Sequence, residues 1–169
     1  MYRREQTCCF TGHRPEKLPW GYCEEDERCK ALKLRIYDAV EIAYREGVRR
    51  FICGMARGCD FYFAEAVLAL RGKYSDVTLE AAVPFAGQGE SWGKEHRLRW
   101  KGIIERCDVV TVLQESYTPD CMHRRNRYMV DRSALVIAVY DGSNGGTRRT
   151  LEYALRQKVP FVDIDPAGI

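Results

Sequence analysis

Short apolar runs alternate with helix-forming segments along the whole chain, and that alternation restricts the fold more than any other feature. The first run is Thr7–Thr11, ending at Gly12. The others are Arg50–Cys53, ending at Gly54, Thr78–Val83, stopped by Pro84, Val109–Leu113, Ala134–Tyr140 and Pro160–Ile164. The spacing between them predicts helices over Glu24–Glu46, Asp60–Leu70, Glu90–Arg106, Cys121–Arg132 and Arg148–Gln157. In the first of these, Leu32, Ile36, Ala39, Val40 and Ala43 share one face at helical spacing. Gly47 is placed to end that helix and Asp60 to cap the next. Strands separated by helices predict an α/β fold, a mostly parallel sheet of six strands with helices on both faces and right-handed crossovers. No repeat, low-complexity segment or linker divides residues 1–169, so the chain reads as one domain, long enough to bury a full core.

In a sheet of this kind, ligands bind beyond the carboxyl ends of the strands, where the strand order reverses. The chemically unusual segments lie at those ends. Tyr140-Asp141-Gly142-Ser143-Asn144-Gly145-Gly146-Thr147 follows the fifth run and precedes a helix that carries Thr150 and Glu152. A strand, a small-residue turn and a helix together aim backbone N–H groups at a phosphate. Thr11-Gly12-His13-Arg14-Pro15 follows the first run, and Arg14 offers a planar fork to an anion. His13 is either a base or a hydrogen-bonding loop residue. Gly54-Met55-Ala56-Arg57-Gly58-Cys59-Asp60 follows the second run, with two glycines around an Arg just before a helix. Pro84-Phe85-Ala86-Gly87-Gln88-Gly89 follows the third, with Trp92 close behind, and its aromatics suit either base stacking or the core. Three arginines, Arg124, Arg125 and Arg127, fall within four residues before the fifth run. Helical spacing spreads them, so only one or two can point at a ligand.

The net charge of +3 suits an anionic ligand without demanding nucleic acid. No apolar run approaches the roughly 20 residues of a membrane span. The start, Met1-Tyr2-Arg3-Arg4-Glu5-Gln6, lacks a signal-peptide apolar region, so the expectation is a cytoplasmic protein without membrane partners. The eight cysteines contain no C-x-x-C pair. Cys8, Cys9, Cys53 and Cys107 sit in or beside strand-like runs, where the expected role is a small buried hydrophobe rather than a metal ligand or disulfide.

These segments, in this order, resemble the SLOG superfamily of Rossmann-like domains, which includes the Smf/DprA DNA-processing proteins and the "lonely guy" cytokinin-activating phosphoribohydrolases. Gly12-His13-Arg14 is similar to the G-S-R turn of DprA. Cys53-Gly54-Met55-Ala56-Arg57-Gly58-Cys59-Asp60 is similar to its S-G-[LM]-A-R-G-[IV]-D, and Arg125-Asn126-Arg127 to its R-N-R. Thr11–Pro15 gives the T-G-H-R-P that marks the YpsA-like branch of bacteria. The resemblance implies a Rossmann-like three-layer sandwich that binds a nucleotide-type ligand. It also bears on catalysis. The lonely-guy enzymes carry an Arg in M-H-x-R-x-x-x-M, a spacing that Met122-His123-Arg124-Arg125 through Met129 reproduces. They also carry a catalytic Glu in P-G-G-x-G-T-x-x-E, and here the Pro is Gly142 and the Glu position is Thr150. A threonine supplies no carboxylate to stabilise an oxocarbenium-like centre or activate water. Glu152 lies two residues on, about 200° around a helix, and should face elsewhere.

Three functions follow as expectations. The first is non-catalytic binding or sensing of a nucleotide-derived ligand such as ADP-ribose or NAD. Its site would comprise Thr11, Gly12, His13, Arg14, Gly54, Met55, Ala56, Arg57, Gly58, Asp60, Phe85, Arg125, Asn126, Asp141, Gly142, Ser143, Gly145, Gly146, Thr147 and Thr150. No cofactor is required. The second is an N-glycosidase or phosphoribohydrolase acting on nucleoside monophosphates through Arg125 with Asp141 or Glu152. The third is DprA-like single-stranded DNA binding, against which the modest charge and the lack of a basic stripe with interleaved aromatics both weigh. A homodimer would be in keeping with the superfamily.

Overall fold

The computed structural model describes residues 2–168 and shows a three-layer α/β sandwich. Six strands form one sheet: β1 (Thr7–Gly12), β2 (Arg50–Cys53), β3 (Thr78–Val83), β4 (Val109–Val112), β5 (Leu135–Val139) and β6 (Phe161–Ile164). Their order is β4-β3-β2-β1-β5-β6, and every pairing is parallel. The chain builds outward from β1 to β4, then crosses back to lay β5 on the other side of β1. The order therefore reverses between β1 and β5, and the loops that leave those two strands flank the reversal.

Five helices connect the strands: α1 (Glu27–Arg45), α2 (Cys59–Lys73), α3 (Lys94–Arg106), α4 (Cys121–Asp131) and α5 (Gly146–Arg156). Cys29, Leu32, Ile36, Val40 and Ala43 of α1 pack with Phe61, Phe63, Val67 and Leu70 of α2 over Cys8, Phe10, Phe51 and Leu79 of the sheet. Burying each of the larger side chains contributes about 1.5–3 kcal/mol. A smaller cluster lies on the opposite face, where Met129 and Val130 of α4 and Leu151 and Ala154 of α5 meet Cys9, Ile52, Val136 and Ala138. Successive strand residues point to opposite faces, so adjacent Cys8 and Cys9 enter different clusters.

Several element limits differ from those the sequence suggests. α1 starts at Glu27 rather than Glu24, because the Asp26 carboxylate caps it by accepting from the Arg28 N–H at 2.8 Å. α2 starts at Cys59, and Asp60 is not its cap; Gly58 holds that position while the Asp60 side chain turns back into the preceding loop. α3 starts at Lys94, since residues 85–92 form successive turns around Gly89 at φ +84°. α5 starts at Gly146, two residues before Arg148, so its N-terminus reaches back into the glycine loop. α2 runs three residues past the expected Leu70, to Lys73, and the remaining limits shift by at most one residue: β1 gains Gly12, β4 stops at Val112, α1 at Arg45, α4 at Asp131, α5 at Arg156, β5 spans Leu135–Val139, and β6 begins at Phe161.

β4 behaves unlike the other strands, because Val109, Val110 and Val112 are all exposed at the sheet edge. Thr111 of β4 donates to the buried Glu80 of β3 at 3.4 Å. Glu80 also pairs with Arg50 of β2 and accepts from the Tyr128 hydroxyl of α4 at 2.7 Å. All eight cysteines are free; Cys23 is exposed, Cys107 is half-buried and the rest are buried. No helix among the described residues is long and apolar enough to cross a membrane.

Candidate functional site

The loop after β1 is shaped by steric limits. A Cβ at Gly12 would lie 2.7 Å from the Cys59 Cβ and 2.9 Å from the Phe10 ring, so the chain leaves the strand only with glycine there. His13 follows, a buried residue 3% exposed. Its Nε2 lies 3.2 Å from the Asp141 N–H and 3.0 Å from Asp141 Oδ1, pinning the β1 loop to the β5 loop across the reversal. Burial lowers the His13 pKa, and the pull of Asp141 in the opposite direction does not overcome it. The neutral ring, accepting the Asp141 N–H, is therefore the form near neutral pH. Burial works to raise the Asp141 pKa, but Ser143 hydrogen bonds and the facing His13 outweigh it and hold the carboxyl at about 2. The folded state disfavours a proton on His13, so stability falls as pH drops below the unfolded histidine value of about 6.5. The loss is complete below the lowered folded value. Thermal unfolding from pH 7 to 5 should show a steeper fall for the wild-type chain than for His13→Gln.

The loop after β2 is built around Arg125 of α4. A Cβ at Gly54 would sit 2.6 Å from Arg125 Nη1, so glycine lets the guanidinium lie against the backbone. The Gly54 carbonyl accepts from Arg125 Nη1 and, at 3.1 Å, from Gln88 Nε2. Met55 holds φ +63° with its side chain fully buried, a left-handed conformation that surrounding contacts must enforce in a non-glycine residue. Asp60 Oδ2 closes the loop by accepting from the Ala56 N–H at 3.0 Å. Burial raises the Asp60 carboxyl, while Arg125 and the Ala56 N–H pull it down.

Arg125 itself is 4% exposed. Its Nε donates to Asn126 Oδ1 at 2.8 Å, yet no carboxylate among the described residues lies within ion-pair distance. Burial lowers its pKa, against the raising influence of Asp60. The neighbouring arginines go elsewhere: Arg124 donates to Gln114 Oε1 at 2.6 Å, and Arg127 lies 5.8 Å from the Tyr153 ring centre.

Gly145, at φ +146°, leads into Gly146 and Thr147, the first residues of α5. Lys17, on the short turn after Arg14, reaches this loop and donates to Ser143 Oγ at 3.3 Å and to the Asn144 carbonyl. The Thr150 hydroxyl donates to the Gly146 carbonyl of its own helix at 2.9 Å.

These parts enclose a cleft of about 430 Å³. Of the residues expected from sequence, Thr11, Gly12, His13, Arg14, Ala56, Asp60, Arg125, Asn126, Gly145, Gly146 and Thr147 line it. Gly54, Met55, Gly58, Asp141, Gly142 and Ser143 do not line it; Gly54 backs Arg125, and Asp141 and Ser143 bond to each other in the turn before Gly145. Arg57 and Phe85 line an adjoining cleft that shares Arg14, Ala56 and Met122 with the first. Thr150 and Glu152 open on a third hollow between α4 and α5, beside His123, Arg127 and Tyr153. Sequence reasoning missed Phe10, Glu16, Lys17, Pro119, Met122, His123, Met129 and Arg149 as lining residues of the main cleft. Lys17 stands three residues beyond Arg14 in a T-G-H-R-P-E-K run, the one local signal that could have placed it. Arg14, Lys17, Arg125 and Arg149 outnumber the two acids, Asp60 and Glu16, and α5 directs its N-terminus into the same space. Such an arrangement favours an anion. Among the described residues, no group of three or more His, Cys, Asp or Glu is placed to hold a metal ion.

A family model, YpsA, described as the YspA SLOG family, matches residues 8–161. The chain belongs to this SLOG family. It is 32% identical over 126 residues to the uncharacterized SPbeta prophage-derived protein YoqJ of Bacillus subtilis (strain 168), covering 68% of this chain and 74% of that protein. It is 26% identical over 155 residues to a UPF0398 protein of Bacillus thuringiensis (strain Al Hakam), covering 88% of this chain and 81% of the relative. Among solved structures it is similar to DNA processing protein A (DprA) of Streptococcus pneumoniae, with a TM-score of 0.61 and 15% identity over 94% of this chain. The chain spans 50% of that DprA chain, and at this identity the likeness is one of fold.

Within this SLOG domain, the three catalytic candidates do not come together. Arg125 lines the main cleft, but Asp141 and Glu152 do not. The Asp141 carboxylate accepts from the Ser143 N–H at 2.8 Å and faces His13. Glu152 pairs with Arg148 at 3.0 Å.

Proposed function

We propose that the main cleft binds a phosphate-bearing, nucleotide-derived ligand and holds it without cleaving it. The observation that carries this reading is Arg125, a buried guanidinium with no carboxylate in ion-pair range among the described residues, facing the same space as the start of α5. A buried charge is costly unless it is paired, and an anionic group with several oxygens supplies that partner. The Gly145–Thr147 turn offers backbone N–H groups to one side of such a group, while Arg14 and Lys17 bring charge to its rim.

Two features favour holding over cutting. Glycosidic cleavage needs a carboxylate free to stabilise an oxocarbenium-like centre or to activate water. Of the two acids lining the cleft, Asp60 is committed to the Ala56 N–H, and Glu16 accepts from the Tyr22 hydroxyl at 2.5 Å. The Thr150 hydroxyl is turned to its own helix.

Titration calorimetry against ADP-ribose, NAD, AMP and ATP tests the binding half of this reading, and no heat with any of them at millimolar ligand would overturn it. Incubation with AMP tests the other half. No adenine should appear, and steady release of free base would show that the domain cuts.

A further inference from the structure

Beside the main cleft lies a second of about 410 Å³, and the two meet at Arg14, Ala56 and Met122. Its lining differs in kind. Phe85, Trp92 and Tyr117 supply aromatic surface, and Gln88, Glu90 and Ser91 supply polar groups. Phe85 and Tyr117 stand edge to face, with ring centres 5.5 Å apart. Trp92 carries the Arg57 guanidinium 4.9 Å from its ring centre and rests edge-on against Phe61.

These rings are held in place before any ligand arrives. Tyr117 is 61% exposed, so the core does not fix it. Its loop is fixed by Gln114 instead, whose Nε2 donates to the Ser116 carbonyl at 2.7 Å and to Thr118 Oγ1 at 2.8 Å. The Ala86 N–H bonds to the Gln114 carbonyl at 3.1 Å and joins that loop to the Phe85 turn. Gln88 couples the two clefts. Its Oε1 accepts from the Trp100 indole at 3.0 Å, and its Nε2 donates to the Gly54 carbonyl that also receives Arg125.

We propose that the second cleft takes the flat heteroaromatic ring of the ligand whose phosphate end occupies the main cleft, which makes the ligand a two-part molecule spanning Arg14. This rests on the nucleotide reading above. A ring fits because aromatic side chains and a guanidinium both stack on π-faces, and the exposed Glu90 carboxylate suits an N–H group of a base edge. Joining two modest sites through one molecule makes the second contact intramolecular, so the whole ligand binds far better than either part.

Calorimetry of the intact chain with ADP-ribose and with ribose 5-phosphate tests this. ADP-ribose should bind at least tenfold more tightly. Tyr117→Ala, at an exposed position that does not threaten folding, should weaken ADP-ribose about tenfold and erase its advantage over ribose 5-phosphate, and Tyr117→Phe should keep it. Indole fluorescence should change with ADP-ribose but not with ribose 5-phosphate, and that change should vanish in Trp92→Phe. Equal affinity for the two probes, or a Tyr117→Ala chain that binds ADP-ribose as the wild type does, overturns the ring site while leaving the phosphate cleft standing. Failure of both probes to bind overturns both readings together.

Discussion

Replacing Arg125 with alanine should cost the domain about thirtyfold or more in affinity for any phosphate-bearing ligand. Truncating one partner of a buried, hydrogen-bonded charge pair costs about 2–5 kcal/mol, and about 1.4 kcal/mol corresponds to a tenfold change. Arg125 is the one buried cation lining the cleft, and its fork already bonds to the Gly54 carbonyl and Asn126 Oδ1. A ligand oxygen would meet a group whose orientation has been set in advance, which lowers the ordering cost of binding. Arg125→Lys should recover only part of the loss, because a point charge on a flexible stem cannot reproduce the planar fork. The stability loss should be smaller than the binding loss, since the substitution also removes a desolvated charge that lacks a paired carboxylate. Calorimetry and chemical denaturation of the same preparation separate the two effects. An Arg125→Ala chain that binds like the wild type would remove the basis for the assigned site.

Gly58→Ala should be the most damaging small substitution for stability, at about 3 kcal/mol. Gly58 holds φ +88° and ψ −128°, a region in which residues with a side chain are strained by about 1–3 kcal/mol. A Cβ there would also stand 2.8 Å from the Pro15 Cδ and 3.1 Å from the His13 carbonyl. Relieving such overlap in packed structure costs about 1–3 kcal/mol more. For a domain of this size, about 3 kcal/mol lowers the melting temperature by about 6–12 °C. The contact that breaks joins the β1 loop to the β2 loop, where the Cys59 N–H bonds to the His13 carbonyl at 3.3 Å. Arg14 would shift with it, so ligand affinity should fall as well. A melting temperature within 2 °C of wild type, a threshold set by about 1 kcal/mol of stability, would show that the loops accommodate the methyl group.

The strands were easy to read from sequence because each is a compact, largely apolar run, and the first three end beside a glycine or proline, Gly12, Gly54 and Pro84. Helix starts were harder. The Glu90–Gly93 stretch, Glu-Ser-Trp-Gly, holds one good helix former, Glu90, and the turns around Gly89 and Trp92 take it up. α5 begins on glycines, which do not announce a helix, so the sequence suggested a start at Arg148. The strand-end rule located the cleft because parallel topology gathers those loops at one end, whatever their individual sequences. It could not sort residues within a loop. Asp141 looks like a ligand-facing acid, yet its carboxylate is spent on the Ser143 N–H two residues on, a local turn common for Asp. Lys17 and Tyr117 enter through tertiary closure of segments that carry no periodic signal.

The distribution of thiols gives the domain a ready position for a reporter group. Six of the eight cysteines are buried and Cys107 is half-buried, with its thiol pushed up to about 11 mainly by burial. A maleimide dye at neutral pH should therefore attach once per folded molecule, at Cys23, and up to eight times after denaturation, as intact mass would show. Cys23 adjoins Tyr22, whose hydroxyl bonds to Glu16 at the cleft wall and whose ring lies 5.8 Å from Arg57. A dye placed there would sit beside both clefts without touching Arg125, so ligand arrival could be followed optically on a chain with no engineered residues.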